Sequence, residues 1–228
     1  MSEAERPRPR AHAPLSDLFA TAVHRFGSAW ADLVVATLAA VGVAFVPVLA
    51  VSRSTDATGI FVTSVFCFGI AYFAVVGFVL LRGLPAPAPR ARVVATYAAA
   101  AVVGLIAGLL VLVLQPYSLV PLPVLLLIVP AVAAGDSGAG AAFLTGPRLA
   151  LRNFARTWAM WAITILFCGP IVISTFLMLT AVAGSVVATL LALALSAPVA
   201  WPVSALFIRA LYGDLTGRAV VAPQDRTG

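Results

Sequence analysis

The fold class this sequence predicts is all-α: a six-span transmembrane helix bundle with two interfacial amphipathic helices at the cytoplasmic face and both termini cytoplasmic. Three observations predict it. Six stretches carry almost no charge, namely Leu33–Val51, Gly59–Leu81, Val93–Leu114, Tyr117–Ala134, Trp158–Leu179 and Val186–Ile208. Each is about as long as the roughly 20 apolar residues that a helix needs to cross the hydrocarbon core. The composition, 62% hydrophobic and 10% charged, leaves too little polar surface for a soluble domain. The basic residues, finally, gather on alternate connections between the stretches.

The spans read as helices because only helices and closed barrels satisfy every backbone group in lipid, and these runs lack a barrel's alternation. Residues 15–213 form the membrane domain, between a cytoplasmic tail at 1–14 expected to be disordered and a second cytoplasmic tail at 214–228. Neither tail can build a core, which leaves no room for a separate catalytic domain. Arg6, Arg8 and Arg10 resemble a signal-peptide n-region, but the first apolar core starts only at Leu33, so the first span is expected to stay.

All 14 basic residues are arginine. The lack of lysine beside so much Ala, Val and Leu is the codon signature of a GC-rich, for example actinobacterial, genome. Arg6, Arg8, Arg10 and Arg25 precede the first span. Arg82, Arg90 and Arg92 follow the second, Arg148, Arg152 and Arg156 the fourth, and Arg209, Arg218 and Arg226 the last. Only Arg53 falls on the other side. The positive-inside rule therefore puts both termini inside, in a multi-pass protein of the cytoplasmic membrane. The net charge of +6 sits beside spans rather than along a soluble stripe, so anionic membrane lipids, not nucleic acid, are the expected partner.

The first interfacial helix is expected over about 16–31, with Ser16 as N-cap and Asp17 at the positive end of the dipole. Phe19, Ala22, Val23, Phe26, Trp30 and Leu33 project on one face, and Asp17, Thr21, His24, Arg25, Ser28 and Asp32 on the other. The second is expected over about 147–157, opened by Pro147 after a break at Gly146. Arg148, Arg152 and Arg156 form a stripe opposite Leu151, Phe154 and Trp158, which suits a helix lying at headgroup level. Phe26-x-x-x-Trp30 and Phe154-x-x-x-Trp158 occupy like places ahead of a span. Either a weak internal repeat or the general need of an interfacial helix for aromatic anchors accounts for this.

Within the spans, Pro47, Pro121, Pro123, Pro130, Pro170, Pro198 and Pro202 each remove a backbone donor. Pro116, Pro121 and Pro123 crowd the start of the fourth span and make it irregular, which fits either a broken helix at a substrate site or kinked packing. Ala100, Gly104 and Gly108 give the third span a small-residue face for close helix packing, against this chain or a second copy. Cys67 and Cys168 lie in apolar runs without metal-ligand spacing, and a disulfide between them requires the second and fifth spans to touch.

No catalytic, metal-binding or cofactor-binding residue is identified. The eight acids lie in tails, loops or span ends, the histidines are His12 and His24, and no triad, carboxylate pair or phosphate-binding glycine motif occurs. The Gly-rich stretch from Gly135 to Gly140 reads as a flexible loop.

Leu122–Trp161, with Arg148-Leu149-Ala150-Leu151-Arg152-Asn153-Phe154-Ala155-Arg156-Thr157-Trp158, and the end segment Ala205-Leu206-Phe207-Ile208-Arg209-Ala210-Leu211-Tyr212-Gly213-Asp214-Leu215-Thr216-Gly217-Arg218 resemble the membrane domain of glycerophosphoryl diester phosphodiesterases and stand-alone actinobacterial membrane proteins similar to it. The resemblance covers the C-terminal half, and Phe19–Trp30 loosely. Thr216 stands where that signature has its first arginine, and Arg218 keeps the second. The resemblance implies the six-span scaffold without the hydrolase, whose catalytic barrel is absent. Tyr212 then reads as an interfacial anchor, Asp214 and Arg218 as an i,i+4 pair, and Arg209 as snorkelling to headgroups.

The expected function is non-enzymatic: a scaffold or accessory subunit without cofactor or metal. It would contact anionic lipid through Arg148, Arg152, Arg156 and Arg209, anchored by Phe26, Trp30, Phe154, Trp158 and Tyr212. A membrane-protein partner or homo-oligomer is compatible with it. The alternative is a small permease for an apolar or lipid substrate, lined at mid-depth by Thr63, Ser64, Thr96, Ser174, Thr175 and Thr180.

Overall fold

The computed structural model describes residues 12–53, 56–84, 86–135, 138–180 and 185–217. They form an all-α bundle with six segments long and apolar enough to cross a membrane, and no strand occurs among them.

Helix α1 (Leu15–Val51) has 37 residues. Straight, it would run about 55 Å, well beyond a hydrocarbon core of about 30 Å. Ala29, with φ −127° and ψ 19°, leaves helical geometry and divides it. Pro14, not Ser16, caps the start: its carbonyl accepts the Asp17 and Leu18 N–H groups at 3.1 and 3.3 Å. The Ser16 hydroxyl sits two residues past that cap and donates to Asp17. Before the kink, Leu18 and Ala22 are buried. Phe19 packs edge-on to Phe167 and Phe207, at 5.2 and 5.4 Å between ring centroids.

Helices α2 (Ala57–Arg82) and α3 (Arg90–Leu114) pack against each other along glycines. Asp56 caps α2 by accepting the Gly59 N–H at 3.0 Å. A Cβ on Gly104 would lie 2.6 Å from Ile70 Cα, and one on Gly108 2.7 Å from the Phe66 ring. Ala100, Gly104 and Gly108 are thus a packing face whose partner is a span of this chain. Between lipid-like surfaces such close backbone approach supplies the dispersion that holds helices together.

The fourth span is broken, as its prolines predict. A 3-10 turn (Gln115–Leu119) leads into α4 (Leu122–Leu125) and α5 (Ile128–Ala134). Gly135, at φ 72°, closes α5 in the left-handed conformation that glycine adopts without strain. Leu126, Leu127, Ile128, Val129, Ala131, Val132 and Ala133 are all buried. Irregular backbone at this depth is tolerated where protein surrounds it.

Helix α6 (Ala139–Arg152) starts eight residues before the expected Pro147, which lies inside it. Gly146 is no breaker: a Cβ there would lie 2.8 Å from Ile128 Cα, so the glycine lets α6 press on α5. Asn153, at φ −115° and ψ 37°, ends α6, and α7 (Phe154–Thr180) follows at once. The expected arginine stripe is therefore split, with Arg148 and Arg152 on α6 and Arg156 in the first turn of α7.

Helix α8 (Ser185–Thr216) lies against α1, α2 and α7. It continues past the expected end at Ile208 into the first residues of the expected tail. Phe207, Ile208 and Leu211 are fully buried. Aromatic rings join it to α1 and α2, with Phe45 edge-on to Phe68 and both Phe68 and Tyr72 edge-on to Trp201. Tyr72 Oη and Ser204 Oγ share a hydrogen bond of 2.6 Å. Both cysteines are free thiols.

Candidate functional site

The arginines at one end of the bundle are tied into it by three polar contacts, each joining elements far apart in sequence. The first knots both ends of the described chain to α7. Arg156 Nη2 donates to Asp214 Oδ2 at 2.9 Å and to the Ala13 carbonyl at 2.7 Å. The Ala13 N–H donates to Asp214 Oδ1 at 3.0 Å, and His12 Nδ1 lies 3.1 Å from Oδ2. The Asp214 side chain is only 12% exposed, and an ion pair so sheltered keeps much of its strength. Asp214 thus faces Arg156; Arg218, its expected partner, lies outside the described residues, as do Arg6, Arg8, Arg10 and Arg226.

The second contact is Arg209, whose Nη2 donates to the Gly83 carbonyl at 2.6 Å. A Cβ on Gly83 would lie 1.8 Å from the Arg209 Cζ. The guanidinium therefore occupies the space a side chain would take at the C-terminus of α2, where the helix dipole favours a cation. In the third, Arg82, the last residue of α2, donates to Asp32 on α1 and lies 6.0 Å from the Phe78 ring centroid.

The second and third contacts border a cavity of about 300 Å³ between α1, α2 and α8. Arg25, Arg82 and Arg209 line it with Ser28 and Gly83. Ala29, Leu33, Val79 and Leu206 complete the wall. The kink at Ala29 lies in that wall, between Arg25 and Leu33, which both line the cavity. Arg25 and Arg209 are close enough for their like charges to repel. Such a cavity has a basic rim and an apolar floor, and it suits an anion carrying an apolar part.

Elsewhere at this end, α6 exposes leucines and arginines together. Leu144, Arg148, Leu151 and Arg152 are exposed, and Phe154 follows at 46%. The opposite face, Ala142, Gly146 and Ala150, is buried. Arg92 is used internally, since its guanidinium lies where a Cβ on Gly135 would be.

The expected aromatic anchors divide. Trp30 (59%) and Phe154 are exposed, Phe26 and Trp158 are half-buried, and Tyr212, at 8%, lies in the core. Burial is thus opposite at the two Phe-x-x-x-Trp segments. The Trp158 and Trp161 Nε1 and the Arg156 Nε are buried without a hydrogen-bond partner among the described residues. Of the hydroxyls proposed for a mid-depth path, Ser64, Thr96 and Thr175 each donate to the carbonyl four residues back in their own helix. The Ser174 and Thr180 side chains lie outside the described set.

The sequence places Arg25 and Arg82 only among the arginines that set orientation, not at a site. Their helices give no hint that they meet, and the one available signal was the concentration of arginine at ends of consecutive spans. No family model matches the chain, and neither does any curated protein or solved structure.

Proposed function

We propose that this integral membrane protein is a non-enzymatic scaffold or accessory subunit of the cytoplasmic membrane, with its arginine-bearing end and both termini inside, in contact with anionic lipid. The observation that carries the reading is the exposed face of α6. Leu144 and Leu151 there stand beside Arg148 and Arg152, and exposed Phe154 follows at the start of α7. A helix at the interface sets such leucines and rings among acyl chains and its guanidinium groups at phosphate level. Arg156 belongs to the internal knot, so the lipid-facing pair is Arg148 and Arg152. The resemblance of Leu122–Trp161 and the end segment to the phosphodiesterase membrane domain supports a scaffold without the hydrolase. A permease reading has less support, because the buried hydroxyls close on their own helices and the broken fourth span is packed with apolar side chains.

The test is native mass spectrometry of the full chain from phosphatidylglycerol-containing nanodiscs. Arg148→Gln with Arg152→Gln should reduce the number of anionic lipids retained. Unchanged retention would sink the α6 contact.

A further inference from the structure

We propose that the cavity between α1, α2 and α8 is a discrete binding site for one phosphomonoester group. It goes beyond the surface contact of α6, because side chains from three helices line it together. Arg25 comes from α1, Arg82 from the end of α2 and Arg209 from α8.

The acceptor chemistry follows from the donors. Each guanidinium carries several N–H groups and accepts nothing, and planar forks of this kind match phosphate oxygens. Arg209 gives one bond to the Gly83 carbonyl and Arg82 meets the Asp32 carboxylate. A phosphomonoester presents three terminal oxygens and close to two negative charges at neutral pH. A diester presents fewer of both. Three arginines lining one cavity fit the monoester better, and the anion would relieve the repulsion between Arg25 and Arg209.

Size and wall composition narrow the ligand further. About 300 Å³ is at the small end of ligand cavities, so it admits a headgroup and not a whole lipid. Leu33, Val79 and Leu206 offer the start of an apolar path below the arginines. A lipid of the phosphatidic acid type meets both demands, and a free phosphate meets the first.

Asp32 supplies a built-in competitor. Its carboxylate holds Arg82 beside the cavity, and the pair is solvent-exposed on both sides, so a phosphate can displace it.

The experiment loads the full chain into phosphatidylcholine nanodiscs doped with phosphatidic acid and counts retained lipid by native mass spectrometry. One phosphatidic acid per chain is expected. Arg25→Gln and Arg82→Gln should each lower its retention about tenfold, the scale of one charge-assisted hydrogen bond. Asp32→Asn should raise retention several-fold, a gain that a damaged fold does not produce. Arg53→Gln, at the opposite end, should leave it unchanged. A second arm uses undoped nanodiscs with inorganic phosphate. Phosphate binding that Arg82→Gln abolishes supports the site with a free anion as its source. Phosphatidic acid retention equal to wild type in Arg25→Gln, Arg82→Gln and Asp32→Asn alike would overturn the site. Loss of the bound lipid only when Arg148 and Arg152 are changed would also overturn it, while leaving the α6 contact standing.

Discussion

Gly104→Ala should destabilise the bundle, although alanine is the better helix former. The added Cβ would lie 2.6 Å from Ile70 Cα, 2.7 Å from Ile70 N and 2.9 Å from Gly69 C. Carbon atoms in contact prefer about 3.5–4.0 Å, so the two helices would have to part by roughly 1 Å. All three atoms are backbone, and no side-chain rotation relieves the clash. Overpacking of this kind costs about 1–3 kcal/mol. Gly42→Ala is the matched reference, because nothing lies within 4 Å of a Cβ there and the helix-propensity gain is the same. The assay is reversible unfolding of the detergent-solubilised protein, followed by circular dichroism. Gly104→Ala should be less stable than Gly42→Ala by about 1–3 kcal/mol. Equal stabilities would refute the close α2–α3 crossing at Gly104.

Two further predictions concern polar contacts. In a double-mutant cycle, Arg156→Gln and Asp214→Asn should be coupled by about 1–3 kcal/mol, because the pair is sheltered and also holds Ala13; additive effects would remove the knot from the account. Tyr72→Phe should cost about 0.6–1.7 kcal/mol, the range for interhelical hydrogen bonds in membranes, and Ser204→Ala about the same with little added in combination. Full additivity in unfolding measurements would mean that the two hydroxyls do not meet.

The spans were legible because charge is excluded from hydrocarbon whatever the neighbours are. The packing face at Ala100, Gly104 and Gly108 was legible as a face, but not its partner, since small residues advertise closeness and not identity. Gly146 and Pro147 misled for a related reason. In isolation they read as a helix boundary, whereas in the bundle the glycine serves contact with Ile128 and α6 runs through the proline. The kink at Ala29 directly follows Gly27-Ser28, a pair that loosens a helix but that an amphipathic projection carries through as ordinary helical positions. Arg156 fitted an i,i+4 stripe, yet Asp214, distant in sequence, takes its guanidinium. The cavity was illegible because Arg25, Arg82 and Arg209 sit on three helices, each looking like an ordinary span-end cation.

An arginine-bearing end that faces the inside of the cell and the anionic lipid there fixes the side of every connection. Reporter fusion tests it most directly, with alkaline phosphatase placed either after Gly217 or within the connection that carries Arg53. Phosphatase should be inactive after Gly217 and active beside Arg53. Activity after Gly217 and none beside Arg53 would place every arginine cluster on the opposite side and contradict the account.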